Sequence, residues 1–140
     1  MNKISRGLRN NNPLNIRRTK TKWVGASNVQ GDPEFVTFTS MAMGYRAAMV
    51  TIRTYVKSYQ CQTVSAVIRR WAPPTENNTN TYLQTVCLRG KLKPNDTVNP
   101  DDQAVMMRLV SAMSFVENGQ IAVPSDVEMG WKLYRARFVD

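Results

Sequence analysis

The chain contains no histidine. Acid–base chemistry at neutral pH therefore falls to carboxylates, and Ser-His-Asp, Cys-His and histidine-metal arrangements are excluded. Ten acids are present. Asp101, Asp102, Asp126 and Glu128 read as first-turn residues of helices, where they complement the positive dipole end. Asp96 falls in a polar loop and Asp140 at the terminus. Elimination leaves Asp32, Glu34, Glu76 and Glu117. Glu117 ends the apolar helical stretch Ala112-Met113-Ser114-Phe115-Val116-Glu117-Asn118-Gly119. Partial desolvation beside Phe115 and Val116 would favour the protonated form that a general acid must supply. The plainer alternative is an exposed glutamate near a helix C-cap. Glu76, within Trp71-Ala72-Pro73-Pro74-Thr75-Glu76-Asn77, reads at least as well as a loop or capping acid. Asp32 and Glu34 sit on a turn and matter chemically only if they face Glu117 across a cleft. Two carboxylates flanking a glycosidic bond equip a hydrolase, whereas a lytic transglycosylase can work with one.

Other chemistries have less to work with. Two cysteines, Cys61 and Cys87, cannot build a Cys-rich zinc site, and buried free thiols are the default reading. No metal or cofactor is called for. Lys and Arg number 19 against 10 acids, for a net charge of +9, which draws the chain toward polyanions such as nucleic acid, anionic membrane or an acidic wall polymer. The densest basic run is Arg6, Arg9, Arg17, Arg18, Lys20 and Lys22: a solvated arm, or a contact for phosphate or anionic glycan. Trp23, Tyr45, Trp71 and Tyr82 are large enough to stack on sugars or bases, though core packing is the commoner use.

These residues must be positioned by a chain of 140 residues, 42% hydrophobic, a length that suits one domain with its own core. The reading is a single, mainly α domain with a small β-hairpin. Residues 1–20 form a basic, Asn-rich loop segment, and residues 22–38 a hairpin region with a turn at Gly31-Asp32-Pro33. Residues 41–140 form a helical body. Apolar residues from Met41 to Tyr59 recur at three- and four-residue spacing behind Ser40, predicting a long amphipathic helix with Arg46, Arg53 and Lys57 toward water. Thr63 starts a short helix stopped by Pro73-Pro74, and Thr79 opens another that carries Tyr82. Asn99-Pro100-Asp101-Asp102 reads as a helix start with proline at its first position, and Pro124-Ser125-Asp126 as the last. No apolar run is long enough for a transmembrane segment. The opening MNKISRGLRNNN lacks a secretory apolar region. Synthesis in the cytoplasm is expected, with any wall substrate reached by a virion, lysis or specialised secretion.

The string Arg6-Gly7-Leu8-Arg9-Asn10-Asn11-Asn12-Pro13-Leu14-Asn15-Ile16-Arg17 resembles the R-G-x-R-N-N-N-P-x-N-I opening of small phage and prophage proteins labelled virion structural proteins or lysins. Further matches are Phe35-Val36-Thr37-Phe38, Gly44-Tyr45-Arg46-Ala47, Arg70-Trp71-Ala72-Pro73-Pro74-Thr75-Glu76-Asn77, Thr79, Tyr82 and Glu117-Asn118-Gly119. Leu14 departs from the family, which usually has glycine there. More distantly, the chain is similar to glucosaminidases and lytic transglycosylases of the lysozyme-like superfamily. These place a catalytic Glu at a helix end, followed by an Asn-rich segment, a Trp-Gly hairpin, an F-x-x-F/Y strand, a long helix and a late tyrosine. Here the Glu-bearing helix comes last, which implies a circularly permuted lysozyme-like fold.

The resemblance implies cleavage of peptidoglycan glycan strands. Glu117 would be the general acid, and Asp32 or Glu34 the second carboxylate. Asn12, Asn15, Tyr45, Glu76 and Tyr82 would form the substrate-binding set, with Glu76 fixing the Tyr82 helix rather than doing chemistry. Expected partners are peptidoglycan and virion components. The alternative is a non-enzymatic virion or nucleic-acid-binding protein that uses Arg6 to Lys22 on phosphate.

Overall fold

The structure, a computed structural model, describes residues 4–75 and 77–138. Ser5 accepts from the Leu8 N–H and nucleates a single helical turn, α1 (Arg6–Arg9), inside the segment expected to be loop. Ser40 caps the central helix α2 (Met41–Tyr59) by accepting from Met43 N–H, and Gln60 ends it in the left-handed region at φ 58°. Thr63 caps α3 (Val64–Trp71), and Asn78 caps α4 (Thr79–Gly90). Asp102 caps α5 (Gln103–Asn118), which Gly119 closes at φ 70°. Pro124 opens α6 (Pro124–Arg137). These oxygens satisfy N–H groups that a helix start otherwise leaves without partners.

The chain is thus mainly α, in one domain. Tyr45, Met49 and Ile52 of α2 bury completely with Ile68 of α3, Met113 of α5 and Tyr134 of α6. The long contact between α2 and α6 depends on Gly130, where a Cβ would lie 2.7 Å from that of Tyr45. A smaller cluster of Ile16, Val36, Phe38 and Ala47 fastens the N-terminal loops to α2, with Trp23, Met43 and Trp71 against it.

Three expectations need correction. Continuous strands are absent from residues 22–38, which make the isolated antiparallel bridge Ala26↔Phe38; Phe35 bridges outward to Arg17. The Gln30 side chain takes over part of the ladder. It donates to Ser27 O and Thr37 O and accepts from Thr37 N–H, so side-chain bonds replace strand pairing. Helix α5 starts at Gln103, because the Asn99 side chain accepts from Asp101 N–H and its carbonyl from Asp102 N–H, forming a turn. Asp101 then leaves the helix and binds Arg53 and Arg135. Arg46, expected at the water face, is 6% exposed because α6 packs over that side of α2. Both cysteines are free, Cys61 buried and Cys87 half-buried. Among the described residues no helix is long and apolar enough to cross a membrane.

Candidate functional site

Glu117 lies one residue before the end of α5, where helix geometry aims it at the N-terminal loop. Asn118 locks that junction. Its Nδ2 donates to Pro13 O at 2.9 Å and to Ser114 O at 3.0 Å, and its Oδ1 accepts from Ser5 Oγ at 2.7 Å. The anchored loop carries Asn15 in the left-handed region, φ 54°, a conformation asparagine tolerates. Asn15 Nδ2 then donates to Glu117 Oε1 at 2.9 Å. Two donors reach Oε2: Tyr82 Oη from the first turn of α4, at 2.8 Å, and Trp71 Nε1 from the last residue of α3, at 3.3 Å.

Three separate segments therefore converge on one half-buried carboxylate of a fourth, through three neutral donors. Tyr82 is 8% exposed. Burial first, and the Glu117 charge second, push its phenol far above the ordinary range, so it acts as a standing O–H donor. Glu117 faces a cleft of about 410 Å³, walled by Trp23, Phe35, Thr51, Tyr55 and Trp71 with Arg17 at the rim. Aromatic planes beside one hydrogen-bonded carboxylate suit a neutral polar ligand with flat apolar faces, as sugars have. A carboxylate so placed can transfer a proton at a bond held against it.

The other sequence candidates lie elsewhere. Asp32 is 7% exposed and accepts five N–H bonds: two from Arg6 at 2.6 and 2.7 Å, one from Asn10, and one each from the backbone of Glu34 and Phe35. The Arg6 guanidinium, aided by these N–H groups, holds its carboxyl far below the usual carboxylate range. Glu34 pairs with Arg6 and Arg17 at the surface. Neither lines the Glu117 cleft; Phe35, beside them in the chain, does. Asn12 is fully buried, so it does not line the cleft either. Its amide bonds Ile16 N–H, Ile16 O and Val36 O and holds the loop to the 35–38 segment. Tyr45 is a core residue whose hydroxyl meets Ser114 Oγ at 3.0 Å. Glu76 lies outside the described residues.

Sequence reasoning names Trp71 as a ring able to stack on sugars or bases without placing it beside Glu117, and does not single out Tyr55 or Thr51. Trp71 carried a usable signal: it is the last helical residue ahead of the Pro73-Pro74 stop, where an indole ring can pack while its N–H seeks a polar partner. Among the described residues, no group of three or more Cys, Asp or Glu side chains is arranged to hold a metal ion.

Fold and site together define a small helical protein built around a carboxylate-centred, aromatic-walled cleft. The chain is 35% identical over 122 residues to Protein P5 of Pseudoalteromonas phage PM2, a match that spans 85% of this chain and 74% of that protein. It belongs to the family of that phage protein. No family model matches the sequence.

Proposed function

We propose that this protein cleaves the glycan strands of peptidoglycan, with Glu117 as the general acid in a lysozyme-like, circularly permuted helical body. The observation that carries this reading is the convergence of Asn15, Trp71 and Tyr82 on Glu117 at the wall of an aromatic cleft. What separates Glu117 from Asp32 is that its donors are neutral and its carboxylate opens onto the cleft, so it is held at a fixed position where a ligand can meet it.

Glu117 is the sole carboxylate lining the cleft among the described residues. A lytic transglycosylase mechanism needs only this one carboxylate. Protonated Glu117 gives its proton to the glycosidic oxygen as the C1–O bond breaks. The hydroxyl at C6 of the same sugar then attacks C1 and returns a proton to Glu117, leaving an anhydro sugar and a restored acid. Asp32 and Glu34 serve the wall of the cleft in this scheme, Asn15 and Tyr82 hold the acid, and Trp71 and Trp23 face the sugar. Membership of a phage family fits a chain that meets the cell wall during infection.

The nucleic-acid reading draws less support. Arg6 and Arg17 of the basic run are tied to Asp32 and Glu34 and stacked on Phe35 at 4.5 and 5.1 Å. The test is digestion of purified peptidoglycan by wild type and Glu117→Gln, read by mass spectrometry. Anhydro-muropeptides from wild type alone support the proposal. Equal release by both removes Glu117 from the chemistry, and no release from any wall type removes the enzyme.

A further inference from the structure

The Glu117 cleft does not end at Tyr55. Thr19, Trp23, Thr51 and Tyr55 also border a second groove of about 890 Å³, whose far side is Tyr59, Arg69, Arg70 and Pro73. Consecutive residues of α3 serve the two halves. Trp71 reaches Glu117, and Arg70, about 100° around the helix from it, enters the second groove. Arg70 is exposed, yet its orientation is set: the guanidinium lies 3.5 Å over the Tyr59 ring and 5.2 Å from that of Tyr55. Stacking fixes the plane of the fork while leaving its edge free to donate. Arg69 beside it donates Nε to Ser65 Oγ at 3.2 Å. None of the ion pairs among the described residues engages either arginine, and no described acid lines this groove.

We infer that this second groove binds a carboxylate-bearing appendage of the substrate through Arg70, and that the appendage is the acidic peptide stem of peptidoglycan. The inference rests on the cell-wall reading of the Glu117 cleft and names which form of the glycan is preferred. The glycan of peptidoglycan is neutral along its backbone and carries its acids on side groups. Such a ligand can place a neutral ring against Glu117 while an offset carboxylate meets Arg70. A nucleic acid carries a charge at every residue, and one running through both halves would bring a phosphate against the Glu117 carboxylate. A planar guanidinium fork also matches a carboxylate edge in bidentate fashion.

The test measures binding in the Glu117→Gln background by calorimetry, so that no ligand is consumed. Soluble glycan chains bearing stem peptides are compared with chains of the same length made of N-acetylglucosamine alone, which carry no carboxylate. Stem-bearing chains should bind about fivefold tighter, the scale of one partly exposed, pre-oriented charge pair. Arg70→Ala should bring that ratio close to one, and Arg70→Lys should leave it intermediate, because charge persists without the stacked fork. Equal binding of both chains by intact Arg70, or a ratio unchanged in Arg70→Ala, overturns the inference and leaves the cleft reading standing. Failure of both glycans to bind, with a DNA oligonucleotide binding instead, overturns the two together.

Discussion

Asp32 and Glu117 each gather donors from distant parts of the chain, and the two gatherings differ in kind. At Asp32 the partners are the Arg6 guanidinium, the Asn10 amide and two backbone N–H groups. The cation and the fixed dipoles hold the ionised form over the whole working pH range. Nothing there can be exchanged without stranding a charge, so the region behaves as a knot that shapes the wall carrying Arg17 and Phe35. At Glu117 the partners are an amide, an indole and a phenol, all neutral, and the carboxylate opens onto a cleft. Neutral donors orient the carboxylate toward the cleft without pairing it with a fixed charge. One region uses an acid to build; in the other, on the proposed reading, the acid stays open to a ligand.

The largest effect that tests this contrast is on activity. Glu117→Gln keeps the volume and most of the acceptor geometry, so the fold should persist with unchanged circular dichroism. Release of muropeptides should fall by about a thousandfold, the scale expected for losing a general acid. Asp32→Asn should do the reverse, lowering Tm while the protein that remains folded still cleaves. Its pH dependence has a defined sign. Because the folded carboxyl is depressed, the unfolded chain takes up the proton first as pH falls. The stabilisation is therefore complete above the ordinary aspartate range, near pH 4, and is lost progressively below it. Urea unfolding at pH 7, 4 and 2.5 should show wild type and Asp32→Asn converging toward acid. A gap that stays constant would mean that the Arg6–Asp32 pair is not what distinguishes the two regions.

The helices were legible where local signals agreed. Periodicity behind Ser40 placed α2, Thr63 and Pro73-Pro74 bracketed α3, and Pro124 opened α6. The start of α5 was misread because Asn99 and Asp102 are both good caps, and the choice was made by the turn at Asn99 and the pull of Arg53 and Arg135 on Asp101. The hairpin failed because Gln30, a residue without turn character, supplies bonds that strands would otherwise make. At the site, Glu117, Asn15 and Tyr82 were legible as residue types in a motif. Asn12 and Asn15 were not separable, since both belong to one string; only the positive φ at Asn15 turns its amide to Glu117 while Asn12 is buried. Trp71 reads as either a stacking ring or core, because an indole looks apolar until its N–H has a partner.

That pair of asparagines gives the next test. Asn12→Ala leaves the buried Ile16 N–H without its partner and removes two further bonds. It should cost about 2–3 kcal/mol in urea unfolding, more than Asn15→Ala, whose partner Glu117 keeps two other donors.

Tyr82→Phe should have the smallest effect and divides the possibilities most sharply. The ring still packs, so Tm should move little. Burial and the Glu117 charge keep the phenol protonated, so its contribution here is the O–H that orients Oε2. Losing it should lower kcat by about fivefold to tenfold, the upper part of the net range for one ordinary hydrogen bond, with KM unchanged. In the Glu117→Gln background the same substitution should add almost nothing, because residues that act through one group are not additive. An undiminished loss there would place Tyr82 on the substrate. The three donors would then no longer form a set organised around one acid, and the contrast with the Asp32 knot would fail at its better-defined end.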